Sequence, residues 1–300
     1  MIAPPGARLA TRLLALLLAL FAAPAVAAEG VFLGPQFRWS EMPVFQRVVR
    51  DVVAIPANAP RWSAGDWAQL ALWSGAVGTL MVPLDDPLDA RLDQWMREEL
   101  DPRLPTVWND WMQPLLWGGI AVGGLGTWWW AVSTGNDHVA QGCSLMGEAL
   151  AVSQVYHLTF KLALGRDGPS DGDGSADIKG PANAIRVYPA GTPSGHAATL
   201  FSLTTAGLAY FRPPAWVHVL GYGVAGGLVA FHVIDHRHFL SDSVWGSAMG
   251  FYVAQWVVKN RASPLPGDAA RAARAPAGSR LVVVPLAFPG GAGVALVGRG

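Results

Sequence analysis

The stretch PSGHAATLFSLTTAGLAYFRPPAWVHVLGYGVAGGLVAFHVIDHRHFLSD, residues 193–242, holds two long apolar runs joined by a proline pair and closed by imidazoles and carboxylates. Ser194–Phe211 and Ala215–His232 are too long for strands and rich in Ala, Leu and Gly, so both read as helices. Pro213-Pro214 ends the first, because proline lacks the N–H a helix needs and clashes with the preceding turn. Four similar stretches lie outside this segment: Trp67–Leu84, Trp111–Ser133, His138–Leu164 and Ser243–Val258. Trp111–Ser133 has no charged residue in 23 positions. The pattern predicts an all-α bundle of six helices, membrane-embedded at least in part.

Composition agrees with that class. Of 300 residues, 52% are hydrophobic and only 14% charged, with 21 Lys+Arg against 21 Asp+Glu. Zero formal charge lacks the basic excess that nucleic-acid backbones demand, so no nucleic-acid partner is expected. Low charge and 14 Trp argue against a disordered chain. A single cysteine makes no internal disulfide and no Cys-based metal site.

The chain divides into four parts. Residues 1–28 read as a signal peptide or N-terminal anchor: Arg8 and Arg12 precede the apolar run Leu13–Ala23, and Ala25-Val26-Ala27 supplies small residues for cleavage. A helix through that run rises about 16 Å, short of a ~30 Å bilayer core, which favours cleavage. Residues 29–64 read as surface helices, 65–260 as the helical core, and 261–300 as a linker with a short β-hairpin-like tail. Residues 165–193 form a long Gly/Asp/Pro-rich loop, and a structureless loop of that length is usually functional.

In so apolar a chain the polar residues at helix ends are the informative ones. Lys161 and Arg166 close the third stretch, Pro193-Ser194-Gly195-His196 opens the fourth, and His232, Asp235, His236, Arg237, His238 and Asp242 lie between the fifth and sixth. Antiparallel packing puts all three clusters at one end of the bundle. The set suits a phosphate. Ser194 stands at an N-cap, where free N–H groups and a positive dipole end attract anions, and Lys161 and Arg166 add charge. One histidine can attack phosphorus and another protonate the leaving oxygen. Asp242, four residues after His238, can hold one imidazole nitrogen and leave the other for attack.

The segments KLALGRDGP (161–169), PSGH (193–196) and FHVIDHRHFLSD (231–242) resemble, in order and spacing, the three signature motifs of the type 2 phosphatidic acid phosphatase (PAP2) superfamily. That superfamily also holds bacterial acid phosphatases and vanadium haloperoxidases, and the resemblance covers about residues 65–258. It implies a metal-independent phosphatase, with no cofactor, acting through a phosphohistidine. His238 matches the nucleophile, Asp242 its orienting partner and His196 the acid for the leaving group. Lys161, Ser194 and the Gly195 amide match phosphate ligands.

Two matches fail. The first-motif arginine falls on Gly168, and the third-motif Ser-Arg pair falls on Phe231-His232. Each lost donor is typically worth ~10²–10³ in rate. Arg166, Arg186, Arg237 and a protonated His232 are the candidate replacements, of which Arg166 and His232 join the expected phosphate-binding set. Glu148 and His157, inside the third stretch, read as buried structural residues.

Two other readings stay open. The fold could bind a phosphorylated lipid without cleaving it, or His232 and His236, at i and i+4, could begin a metal site of a membrane hydrolase. The expected substrate is a phosphorylated lipid or a small phosphomonoester. The expected location is the cell envelope, in the membrane or periplasm, with the site facing the periplasm and lipids as neighbours.

Overall fold

The computed structural model describes residues 44–81, 88–99, 113–170, 176–187, 191–263, 280–288 and 291–299, and gives the backbone alone for 185–187 and for the last two segments. The expected export signal therefore lies outside the described residues. Nine α-helices account for most of them: α1 (Val44–Ala57), α2 (Ala64–Met81), α3 (Leu88–Glu99), α4 (Gln113–Ser133), α5 (Asp137–Leu164), α6 (Pro181–Val187), α7 (Gly195–Phe211), α8 (Ala215–Ile234) and α9 (Leu240–Arg261). Each of the six apolar stretches overlaps one. Of the other three, α1 lies in 29–64, where surface helices are expected, while α3 and α6 are additional to the six expected in the core. The sequence of α3, LDARLDQWMREE, is half charged and buries only a narrow apolar face through Leu92 and Met96, so it forms no apolar run. The short α6 stands inside the expected 165–193 loop. At the C-terminus β1 (Arg280–Phe288) and β2 (Gly291–Arg299) pair antiparallel, Arg280 opposite Arg299 and Phe288 opposite Gly291.

Helix α9 is the axis of the bundle. It contributes Val253, Ala254, Trp256 and Val257 to a core with Leu145, Ala149 and Val152 of α5. Leu240, Val244 and Ala248 meet Trp73, Val77 and Leu80 of α2 and Leu92 and Met96 of α3. Phe251 completes a third core with Ala197, Leu200 and Phe201 of α7 and Ala225 and Val229 of α8. A helix buried on every side needs small residues where neighbours cross. Gly246 is one: a Cβ there would stand 2.3 Å from the Ser194 carbonyl oxygen. Gly250 is another, 2.4 Å from the Ala198 carbonyl. These two glycines bring the first turn of α7 against the first half of α9, which is the contact that assembles the site.

Charge is buried in pairs. Arg47 of α1 meets Glu148 of α5 at 2.5 Å, and Arg261 of α9 pairs with Asp51 of α1. Glu148 is thus held in the structural role expected of it. Two helices, α4 and α8, are long and apolar enough to cross a membrane. Both present large apolar side chains outward, among them Val122, Leu125 and Trp129 on α4 and Trp216, Val219 and Leu220 on α8.

Candidate active site

The site forms where three chain ends meet. Lys161, which is 3% exposed, lies in the last turn of α5, and the helix stops at Gly165 in the left-handed conformation. The chain returns to Ser194, the N-cap of α7, whose Oγ accepts from the Ala197 amide at 3.3 Å. The Ser194 amide donates to the Asp242 carbonyl at 2.9 Å, tying the start of α7 to the start of α9. After α8 a tight turn, with His236 at φ 56°, delivers His238 just before α9.

Between these ends lies a cavity of about 270 Å³. Gln154, His157 and Lys161 line it from α5, Gly195, His196 and Thr199 from α7, Trp117 from α4, and His238 from the turn. His196 Nδ1 stands 3.3 Å from His238 Nε2. The rings of His196 and His232 are stacked with centroids 4.4 Å apart. Burial pushes His196 down to about 2, and neighbouring His232 and His238 push the same way.

Asp242 organises the rear wall. Its Oδ2 accepts from the Phe239 amide at 3.0 Å and lies 3.8 Å from His238 Nδ1. Its Oδ1 accepts from Arg166 Nη1 at 2.8 Å and from the Thr192 hydroxyl. Burial alone would raise this carboxyl, but the approach of His238 and the Arg166 charge outweigh it and hold it below the usual range.

Of the eight residues expected from the sequence, Lys161, Gly195, His196 and His238 line the cavity. Ser194 caps α7 beside it, Asp242 sits behind His238, and His232 stacks on His196. Arg166 is placed differently from the expectation. Its Nε donates to the Ala176 carbonyl, its Nη1 to Thr192, Ser241 and Asp242, and its Nη2 to Asp89 at 3.0 Å. The guanidinium is occupied on the far side of Asp242 and does not line the cavity. His232 Nδ1 lies 2.7 Å from the Leu228 carbonyl, so that nitrogen donates within its own helix, while Nε2 lies 3.5 Å from Gln113 Nε2. Arg237 pairs with Asp235 at 2.8 Å, and the side chain of Arg186 lies outside the described residues. His232 and His236 are also separated in function: His236 meets Asp93 of α3 at 2.6 Å. Among the described residues no group of three His, Cys, Asp or Glu gathers as metal ligands.

Several site residues had no motif to reveal them. Asp89 of α3 holds Arg166 and the Ser241 amide, yet lies 77 residues before Arg166. Burial raises its carboxyl to about 6 against the opposing pull of Arg166. Gln154 and His157 share a face of α5 with Lys161 at helical spacing, a signal present in the sequence but common to any buried helix.

Residues 143–263 match the family described as the PAP2 superfamily. The chain is similar to a lipid A 1-phosphatase of Porphyromonas gingivalis, with 36% identity over 130 residues. That similarity covers 40% of this chain and 29% of the relative, so less than a third of the relative's length is spanned. No solved structure matches the chain.

Proposed function

Residues 143–263 match the PAP2 superfamily, and from that premise we propose that the protein is a phosphatase that hydrolyses a phosphorylated lipid through a phosphohistidine on His238. The observation that carries the reading is the approach of His196 Nδ1 to His238 Nε2, 3.3 Å, at the wall of a cavity that Lys161 and the start of α7 also line. Phosphate oxygens sit against Lys161 and the first-turn amides of α7, where charge and dipole are both favourable. The His238 Nε2 lone pair attacks phosphorus as the bond to the leaving oxygen breaks. His196 gives that oxygen its proton. A water then attacks the phosphohistidine while His196 takes up a proton from it, releasing phosphate and restoring both imidazoles. Asp242 favours the imidazolium-like state of His238 in both steps. His196 is neutral in the empty site, and a bound phosphate raises its affinity for the proton it must give.

A lipid substrate is supported by the name of the similar protein and by the outward apolar faces of α4 and α8. In this reading α4 and α8 span the membrane of the cell envelope. The N-terminal end of α4 and the C-terminal end of α8 both lie at the site, through Gln113 and His232, which supports a reacting phosphate held at one membrane face; the export-signal reading of residues 1–28 favours the periplasmic face. The protein then needs no metal. Phosphate release from a panel of lipid phosphates and phosphomonoesters in EDTA tests this, with His238→Ala as the blank.

One observation favours a second reading. The two motif arginines fall on Gly168 and His232, and the candidate replacement Arg166 is fully engaged behind Asp242, which leaves Lys161 as the cation lining the cavity among the described residues. A protein that binds the phosphorylated lipid without turnover would show saturable lipid binding and no phosphate release.

A further inference from the structure

The cavity wall holds a group that this mechanism does not use. His157 lies on α5 one turn before Lys161, is 6% exposed, and lines the cavity beside it. Its tautomer follows from its neighbours. Gln154 Nε2 lies 3.0 Å from Thr199 Oγ1 and 3.5 Å from the Gly195 carbonyl. A carbonyl only accepts, so the amide nitrogen faces it and Oε1 faces His157 Nδ1, 3.1 Å away. Nδ1 therefore carries the hydrogen and Nε2 the lone pair. That Nε2 is buried and has no hydrogen-bond partner. It lies against the start of α7: a Cβ on Gly195 would stand 3.0 Å from Nε2 and 2.7 Å from Cε1.

A buried acceptor without a donor is a costly feature, and it is worse facing an anion whose oxygens are acceptors too. A single proton removes both faults. We propose that His157 is a proton-carrying ligand of this cavity, so that a phosphate dianion binds together with one proton drawn from solvent and shared between His157 Nε2 and a phosphate oxygen. The inference rests on the phosphate-site reading above and names the ionic form in which the site takes its ligand. Phosphate protonated on oxygen with neutral His157, and dianion with imidazolium, are one state in proton count. Either form puts a donor where the bare lone pair stands.

The groups around His157 agree with this assignment. Lys161 on α5, His196 on α7 and His238 in the turn before α9 are the titratable groups lining the cavity with it, Asp242 stands behind His238, and α4 contributes Trp117. Without a ligand, burial and then Lys161 and His238 keep His157 low, near 4, so it arrives neutral and ready to accept. His196 and His238 already face one another, and His232 donates to its own helix.

The test is calorimetry of inorganic phosphate binding to the full chain in detergent at about pH 8.5, where phosphate is mostly dianionic, in two buffers of different ionisation enthalpy. The wild type is expected to take up about one proton more per phosphate than His157→Gln, and its affinity to weaken more steeply with pH above that point, by about a further tenfold per pH unit. His157→Phe gives the same readout if the glutamine variant does not fold, and any uptake left in the variants belongs to His196. Binding by the wild type without uptake overturns the assignment of His157 alone. Uptake that is undiminished in both variants also overturns it, since the proton then resides elsewhere. A wild type that binds no phosphate removes the underlying site reading and the inference with it.

Discussion

Arg166 Nη1 lies 2.8 Å from Asp242 Oδ1, with both side chains almost wholly buried. The same guanidinium reaches Asp89 at 3.0 Å and stacks over the Phe239 ring with its central carbon 4.7 Å from the centroid. It is thus the link that joins α3, the 165–193 segment and the start of α9 behind His238. Arg166→Ala would leave two buried carboxylates facing each other, and removing one partner of a buried pair costs about 3–5 kcal/mol. A lower thermal midpoint is expected, together with lost activity. Arg166→Lys is expected to fail as well, because an ammonium cannot span both carboxylates and the Ala176 carbonyl. A lysine variant with wild-type stability and only a raised KM for phosphoester would instead make Arg166 a substrate ligand.

Close approach of α7 and α9 gives a second prediction. Gly246→Ala would drive a methyl group to 2.3 Å from the Ser194 carbonyl oxygen, and overpacking of this kind costs about 1–3 kcal/mol. Because that carbonyl belongs to the N-cap of α7, activity should fall with stability. Gly223→Ala, with nothing within 4 Å of its new methyl, should leave both unchanged. Thermal melts and turnover of the two variants side by side check this.

Asp89 sets a pH dependence whose sign is fixed. Its carboxyl is raised to about 6 from 3.8 by burial, so the folded protein holds that proton more tightly than the unfolded chain. The resulting stability is full below about pH 4 and is lost as pH rises through 6. Asp242 is shifted the other way, and its contribution is lost only at pH below the ordinary carboxylate range. Asp89→Asn should therefore flatten the decline in thermal midpoint between pH 4 and 6. An identical slope in the variant would assign that titration to another group.

Much of the fold was legible because its helices differ from ordinary surface helices in composition. Runs such as Gln113–Ser133 and Ala215–Ile234 are apolar all round and end at prolines or polar clusters. The charged α3 gave no such signal: its buried residues Asp89, Leu92, Asp93 and Met96 share one face at helical spacing, but two of the four are carboxylates, so no apolar periodicity marks that face. At the site, Lys161, Ser194, Gly195, His196 and His238 were readable from residue types at fixed spacing. The direction of the Arg166 guanidinium was not. It depends on Asp89, 77 residues away, and no local pattern announces a buried carboxylate on a distant helix. His157 was half legible: its Nδ1 has the structural hydrogen bond expected of a buried histidine, whereas the bare Nε2 is visible only in three dimensions.

Membrane residence through α4 and α8 is testable by a charge on either helix. Val122 is 74% exposed at the middle of α4 and Val224 is 54% exposed at the middle of α8. An arginine at the centre of a span costs about 2.5–3.5 kcal/mol on insertion scales. Val122→Arg and Val224→Arg should each reduce the fraction of protein that stays with membranes after an alkaline wash. Unchanged retention in both would place these faces outside the bilayer.

The most direct test of the central claim is a rapid acid-free quench of the enzyme during turnover, followed by mass spectrometry of the peptide that carries His238. Alkali-stable, acid-labile phosphate on His238 is the predicted result, with its loss in His238→Ala accompanied by a fall in turnover of about 10³-fold or more. Steady phosphate release with no phosphohistidine at position 238, or with His238→Ala as active as wild type, would contradict the account.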